Sequence, residues 1–132
     1  GKGRVVKGGK DVTVAAVSSM VPEAEKATKL LSEEGVDVEL IDLRSVKPLD
    51  EGMLLSSIKK TGRIVIADVG WKTCSVASEI SALVAEYAFS YLRAPIRRIT
   101  LPDCPAPASA TLEQAYYPTT QDIVQAVRAI LK

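Results

Sequence analysis

The chain has 132 residues, of which 47% are hydrophobic and 25% charged, and its formal net charge is +1. This length fits one domain with a real core, and the composition excludes a disordered chain, a collagen-like repeat and a disulfide scaffold. No apolar run approaches the roughly 20 residues of a membrane helix, and the balanced charge gives no general attraction to nucleic acid. We therefore predict a globular domain that binds neither a membrane nor nucleic acid.

The chain contains no histidine. This excludes Ser-His-Asp and Cys-His catalysis and zinc sites built on imidazole. The two cysteines, Cys74 and Cys104, lack the CxxC spacing of a metal knuckle or a redox pair. We expect two ordinary reduced thiols, no catalytic residue and no metal site in this chain.

The first ten residues carry four cations and no acid: Lys2, Arg4, Lys7 and Lys10. Such a segment suits either a nucleic-acid-binding arm or a solvated lead-in, and the absence of aromatic side chains favours the lead-in. We therefore assign residues 1–10 to a basic lead-in and residues 11–132 to a single domain.

The rest of the chain alternates between strand-like and helical patterns. Runs rich in apolar and β-branched residues predict strands at 12–17, 36–43, 64–67 and 96–101. The predicted limits of the helices are Ser18 or Ser19 to Gly35, Asp50 to Gly62, Val76 to Tyr91, and Thr120 onward. The Pro-rich stretch at 102–107 is predicted to cross the surface without a helix. The alternation predicts an α/β/α sandwich around a mostly parallel sheet.

Ligands of open α/β sheets gather beyond the carboxyl ends of the strands, where three predicted loops fall. Ser18 and Ser19, at a helix start, are either a small-anion site or plain helix caps. Asp42 and Asp68 are either a carboxylate pair or Mg²⁺ site, or acids that accept hydrogen bonds from loop amides. In both cases the plainer structural role accounts for the residues.

The segment Asp68–Thr73 is the most distinctive because it contains the only tryptophan beside a glycine. Such an aromatic side chain is either an interface anchor or a cover for its own core. Tyr116 and Tyr117 present the same two alternatives. The candidate subunit-interface residues are Asp68, Gly70, Trp71, Lys72 and Thr73.

Several segments match one family in order and spacing: KDVTV at 10–14, GVDVELIDLR at 35–44, KPLD at 47–50, KTGR at 60–63, GW at 70–71, APIRR at 94–98 and PD at 102–103. Together they resemble the C-terminal domain of the transketolase superfamily. The strongest resemblance is to the beta subunit of the thiamine-diphosphate-dependent, decarboxylating component of 2-oxoacid dehydrogenase complexes. The resemblance implies about five strands, one of them antiparallel, in the last part of a longer subunit.

The resemblance also implies a role in assembly. Thiamine diphosphate and Mg²⁺ would lie between an alpha subunit and the N-terminal part of the beta subunit, so this domain would hold no cofactor. Its partners would be the alpha subunit and a second beta subunit of an α₂β₂-type assembly, with docking of the acyltransferase component in several members. Such proteins are cytoplasmic in bacteria and archaea and lie in the mitochondrial matrix in eukaryotes. Pyruvate, branched-chain and acetoin substrates all remain open.

Some positions depart from the family's pattern. Relatives carry an acid where Val69 stands and paired glycines where Cys74 and Ser75 stand, so a backbone approach that requires glycine is blocked at Cys74. An acid often precedes the Ala-Pro pair, where this chain has Arg93, with Arg97 close behind. These two candidate docking residues would repel a basic binding domain, which predicts a different partner or another docking surface.

Two other functions remain open at this point. One is the C-terminal domain of another thiamine enzyme, of the transketolase or deoxyxylulose-phosphate synthase type, although the GW and IDLR segments favour the dehydrogenase branch. The other is a regulatory domain that binds a small anion or nucleotide at Ser18 and Ser19. The chain begins with Gly rather than Met, and we expect it to be a fragment.

Overall fold

The computed structural model describes residues 1–132 and contains one five-stranded sheet. The strands are β1 (Arg4–Lys7), β2 (Val12–Ala16), β3 (Val38–Asp42), β4 (Ile64–Trp71) and β5 (Arg97–Leu101). The helices are α1 (Met20–Glu33), α2 (Glu51–Thr61), α3 (Val76–Tyr87), α4 (Ala110–Tyr116) and α5 (Thr120–Leu131), with a 3-10 turn over Phe89–Tyr91. The strand order is β1-β3-β2-β4-β5, and only β1 is antiparallel to its neighbour.

The core lies in two layers because successive strand residues point to opposite faces of the sheet. On one face, Val14 and Val65 pack with residues of α1 and α5. On the other face, Ile41 and Ile66 pack with residues of α2 and α3. Strand β2 is buried along its whole length, as its unbroken apolar sequence predicts. This arrangement is the predicted three-layer sandwich.

Local signals fix most helix ends. The carboxylate of Asp50 accepts a hydrogen bond from the N–H of Met53 at 3.3 Å, and Gly62 ends α2 with a φ of 68°. The N-cap of the last helix lies one residue before the predicted position, since Thr119 and not Thr120 is the N-cap and α5 begins at Thr120. The N–H of Thr119 donates to the carboxylate of Asp122 at 2.7 Å, which closes a capping box.

The assignment of residues 1–10 to a lead-in outside the domain is wrong. Arg4–Lys7 forms the edge strand β1, in which Val5 lies opposite Ile41 of β3. The sequence around Val5 is rich in glycine and in positive charge, so its local propensity does not predict a strand. The extended conformation of β1 results from its pairing with β3. Positive charge on such a strand is a common feature of sheet edges, where it discourages pairing with another chain.

Two helix predictions also differ from the structure. The third helix ends at Tyr87 and gives way to the 3-10 turn, so Tyr87 and Tyr91 are exposed and do not continue the core stripe. The chain must turn here to enter β5, and the N–H of Arg93 donates to the carbonyl oxygen of Gly62 at 2.8 Å. Helix α4 is not predicted from the sequence, because it is short and follows a Pro-rich stretch; Ser109 caps it.

The carboxyl ends of the parallel strands lie at one edge of the sheet, here called the carboxyl edge and formed by residues 17–19, 42–50 and 68–75. Helices α1 and α2 leave this edge on opposite faces of the sheet. The crevice that usually receives ligands in such folds therefore lies between β2 and β4. None of the helices has both the length and the apolar character needed to cross a bilayer.

Candidate assembly site

Three non-glycine residues in the loops of the carboxyl edge adopt left-handed backbone conformations. Ser18, Arg44 and Cys74 have φ values of 52°, 57° and 54°, and each follows a different parallel strand. This conformation costs an L-residue about 1–2 kcal/mol. Cys74 stands where the family's pattern has glycine, so the chain keeps a glycine-like backbone there while carrying an exposed thiol.

Asp68 fixes the end of β4 to the start of α3. Its buried carboxylate accepts hydrogen bonds from the N–H of Gly70 at 3.0 Å and of Ala77 at 3.2 Å. Strand β4 continues through Trp71, so Asp68 lies within the strand and not at the start of a loop as predicted. Gly70 suits this arrangement, because a Cβ at this position would lie 3.1 Å from the Asp68 carboxylate, which would have to move to make room.

The two acids considered as a pair, Asp42 and Asp68, are not brought together on neighbouring strands, because β2 lies between β3 and β4. Asp42 accepts a hydrogen bond from the N–H of Arg44 at 3.1 Å. Both acids therefore accept hydrogen bonds from backbone amides, Asp42 in the loop after β3 and Asp68 within β4 and at the start of α3. No group of three or more Cys, Asp or Glu side chains is arranged to hold a metal ion.

Trp71 ends β4 with 54% of its surface exposed. Its indole N–H donates to the hydroxyl of Tyr116 at 3.2 Å, and that hydroxyl donates to the carbonyl oxygen of Cys104 at 2.7 Å. The ring is thus held at its polar end while much of its apolar surface faces solvent. Of the two alternatives considered for Trp71, the structure therefore disfavours a ring that is buried against the core of the domain.

Contacts from distant elements hold the backbone beside Trp71. The N–H and hydroxyl of Thr73 donate to the carboxylate of Asp103 at 3.0 and 2.7 Å, and these bonds hold the pKa of Asp103 below its usual value. The guanidinium of Arg98 donates to the carbonyl oxygen of Lys72 at 3.0 Å and to the hydroxyl of Ser78 at 2.8 Å. The sequence does not predict that Asp103 and Arg98 contact this segment, because residues so far apart in the chain share no recognisable spacing pattern.

Two further exposed apolar side chains, Leu112 and Tyr117, belong to the segment that carries Tyr116. Trp71 bonds to Tyr116, and Tyr116 packs edge-on against Tyr117. We give the name Trp71 patch to the exposed side chains of Trp71, Leu112 and Tyr117 on these two joined segments. A cavity of about 390 Å³ lies beside it, lined by Lys72, Arg98 and both tyrosines among others. A fixed aromatic side chain within an exposed apolar patch is typical of a protein-interaction surface.

The geometry of Ser18 and Ser19 does not favour anion binding. Ser19 occupies the N-cap position of α1 but its hydroxyl makes no capping bond, so the predicted side-chain cap is absent. The N–H groups of Met20 and Val21 already donate to the carbonyl oxygens of Val17 and Ser18. The first turn of α1 also carries Glu23, whose pKa is lowered by hydrogen bonds from Lys26 and Thr120. A negative charge there opposes an anion.

Arg93 and Arg97 are exposed and lie near the start of β5, at the opposite end of the sheet from Trp71. Arg93 packs its side chain on Gly62, where an added Cβ would come within 2.9 Å of it. A groove of about 660 Å³ is lined by Arg93, and Arg97 follows its last lining residue in the sequence; we call it the Phe89 groove, and its lining also includes Phe89, Leu92, Pro95 and Ile96. The Phe89 side chain is 73% exposed.

The family model of the transketolase C-terminal domain matches residues 1–123. The chain therefore belongs to this family, as its sequence motifs predict.

Relatives of known name are beta subunits. The chain is 41% identical to the mitochondrial pyruvate dehydrogenase E1 component subunit beta of Dictyostelium discoideum, over 98% of this chain and 36% of that protein. It is 44% identical to the acetoin:2,6-dichlorophenolindophenol oxidoreductase subunit beta of Bacillus subtilis, over 99% of this chain and 38% of that protein. The chain thus spans less than two-fifths of the length of these relatives.

Among solved structures, the fold is similar to that of a split-gene transketolase described as an inactive beta4 tetramer. The TM-score is 0.87 at 30% identity, and the match covers 98% of this chain and 42% of that one. This similarity confirms the predicted fold, including the single antiparallel strand.

Proposed function

We propose that this chain is the assembly and docking domain of the beta subunit of a 2-oxoacid dehydrogenase, and that other parts of the enzyme carry out the oxidative decarboxylation. Its relatives are named as beta subunits of a pyruvate dehydrogenase component and of an acetoin oxidoreductase. The observation that carries the proposal is the Trp71 patch, in which an exposed indole is held in place by hydrogen bonds. The patch would contact the alpha subunit or the second beta subunit.

Thiamine diphosphate with Mg²⁺ would act outside this domain. A Mg²⁺ ion takes several oxygen ligands, but the two acids considered as a pair, Asp42 and Asp68, lie on strands that are not neighbours. We therefore assign no residue of this chain to the cofactor or to the chemistry. The parent enzyme would act in the cytoplasm of a bacterium or archaeon, or in the mitochondrial matrix.

The assembly role is tested with Trp71→Ala in the complete beta subunit, mixed with its alpha subunit and followed by analytical ultracentrifugation. Truncation of a central interface aromatic costs about 2 kcal/mol or more, so we expect binding at least about 30-fold weaker. Tyr87→Ala is the matched control, because Tyr87 is 59% exposed and lies outside the Trp71 patch. Equal affinity of wild type and Trp71→Ala would contradict the proposal.

The Phe89 groove is proposed as the second docking surface, for a partner that presents carboxylates to Arg93 and Arg97. The exposed apolar lining would give contact area, and the two cations would select the sign of the partner's charge. Charge reversal at both arginines should weaken the binding of such an acidic partner and remove most of its salt dependence. Unchanged binding at low ionic strength would exclude this surface.

A further inference from the structure

Trp71 is fixed from two directions. Its backbone lies opposite Leu101 of β5, and the neighbouring N–H of Lys72 donates to the carbonyl oxygen of Leu101 at 3.2 Å. Its side chain is held by Tyr116, whose hydroxyl accepts the indole N–H at 3.2 Å. The strand therefore sets where the side chain begins, and Tyr116 sets the direction in which the ring extends.

Tyr116 is itself anchored. It is the buried residue of α4, with 8% of its surface exposed, and its ring packs edge-on against that of Tyr117 with 5.2 Å between the centroids. Its hydroxyl donates to the carbonyl oxygen of Cys104 at 2.7 Å. Because a phenol has only one proton to donate, the same oxygen meets the indole as an acceptor, and the direction of both bonds is fixed.

The hydrogen-bonding capacity of the indole is therefore used within the chain. An indole has one donor and no acceptor, and a tryptophan that becomes buried usually needs a partner for that N–H. The N–H of Trp71 already has its partner in Tyr116, while 54% of the residue's surface is exposed. Trp71 thus presents an apolar ring to whatever covers it.

We infer that Tyr116 is the positioning residue of the Trp71 patch, and that the partner subunit receives the indole in an apolar cleft with no acceptor aimed at its nitrogen. This inference rests on the proposed assembly role. A ring that is ordered before the subunits meet need not be immobilised on binding, which favours affinity. A ring whose donor is already paired also carries no unpaired polar group into an apolar cleft.

The bond is tested first in the 132-residue chain, where Trp71 is the only tryptophan and gives a single indole N–H signal in the NMR spectrum. We expect Tyr116→Phe to speed exchange of this proton with solvent by at least about fivefold, because the acceptor is removed while the ring remains. Tyr117→Phe is the matched control and should leave the exchange unchanged, since Tyr116 and not Tyr117 supplies the hydroxyl. Equal exchange in wild type and Tyr116→Phe would overturn the inference.

The positioning role is tested in the complete beta subunit, by its affinity for the alpha subunit in a double-mutant cycle. Tyr116→Phe should weaken binding about fivefold, and Trp71→Phe removes the N–H from the other side of the same bond. Tyr116→Phe should have no further effect when Trp71→Phe is already present, because Tyr116 acts through the indole. Additive losses, or an unchanged affinity for Tyr116→Phe alone, would overturn the positioning role.

The apolar cleft is tested by two replacements of Trp71 in the same subunit. Trp71→Phe keeps an apolar ring without a donor, whereas Trp71→Gln keeps an N–H donor without a ring. We expect Trp71→Phe to bind more tightly than Trp71→Gln by about fivefold or more, and an equal or reversed order would overturn the cleft. If Trp71→Ala leaves assembly unchanged, the proposed function fails and the cleft with it, while the exchange of the indole proton still decides whether Tyr116 holds the ring.

Discussion

Gly70 has a packing role that the sequence motif alone does not explain. A Cβ at this position would lie 3.1 Å from the carboxylate of Asp68 and 3.3 Å from Cβ of Ser75. That carboxylate already binds the N–H of Ala77. The glycine therefore allows the close approach of backbone and carboxylate where β4 meets α3 without displacing the carboxylate.

We predict that Gly70→Ala lowers the free energy of unfolding by about 1–2 kcal/mol, because the Asp68 carboxylate must shift away from its donors. Urea denaturation measures the change. Gly52→Ala is the matched control, since a Cβ added there would meet no atom within 4 Å and alanine favours a helix; it should stabilise by about 0.5 kcal/mol. Equal losses for the two variants would contradict this packing role.

Glu39 is a buried carboxylate beside Lys60. Burial alone would raise its pKa, but hydrogen bonds from Lys60, Ser57 and the N–H of Gly9 together hold the pKa below the ordinary value of 4.5. A carboxyl whose pKa is lowered by folding stabilises the protein above its unfolded pKa and loses this contribution as the pH falls through the folded pKa.

We therefore predict that the free energy of unfolding of the wild type falls as the pH drops below about 5, and that Glu39→Gln flattens this part of the curve. Urea midpoints measured across the acid range for both proteins give the comparison. Parallel curves for wild type and Glu39→Gln would exclude Glu39 as a source of the acid sensitivity.

At the scale of the elements, local chemistry predicted some features and tertiary pairing decided others. Asp50 and Gly62 set the limits of α2 because capping and left-handed termination depend on single residues. Strand β1 was missed because four residues around Val5 become a strand only by pairing with β3. The same limit applies to the site: the sequence singles out Trp71, whereas the contacts of Arg98 with Lys72 and Ser78 depend on the pairing of β4 with β5.

Arg98 and Arg97 are neighbours in β5 with different surroundings. Arg98 binds the carbonyl oxygen of Lys72 and the hydroxyl of Ser78, whereas Arg97 is exposed. We predict that Arg98→Met lowers the free energy of unfolding by about 1–2 kcal/mol and speeds hydrogen exchange at residues 72–78. Arg97→Met should change stability by less than about 0.5 kcal/mol. Similar exchange in the two variants would count against a positioning role for Arg98.

At the scale of the whole molecule, the two proposed interaction surfaces lie at opposite ends of the sheet. The Trp71 patch lies at the carboxyl edge, and the Phe89 groove lies at the start of β5 beside Arg93 and Arg97. With one surface for subunit assembly and the other for docking, the chain would join two kinds of partner without taking part in the chemistry. This separation would account for the exposure of an aromatic patch and two arginines on a domain with a well-packed core of its own.

The most direct test of the assembly role is the activity of the complete enzyme with Trp71→Ala in its beta subunit, measured over a wide range of protein concentration. We predict that activity is lost at low concentration and recovers as concentration rises, with the turnover of each assembled complex equal to that of the wild type. A lower turnover in fully assembled enzyme would place Trp71 in the chemistry and contradict a role confined to assembly.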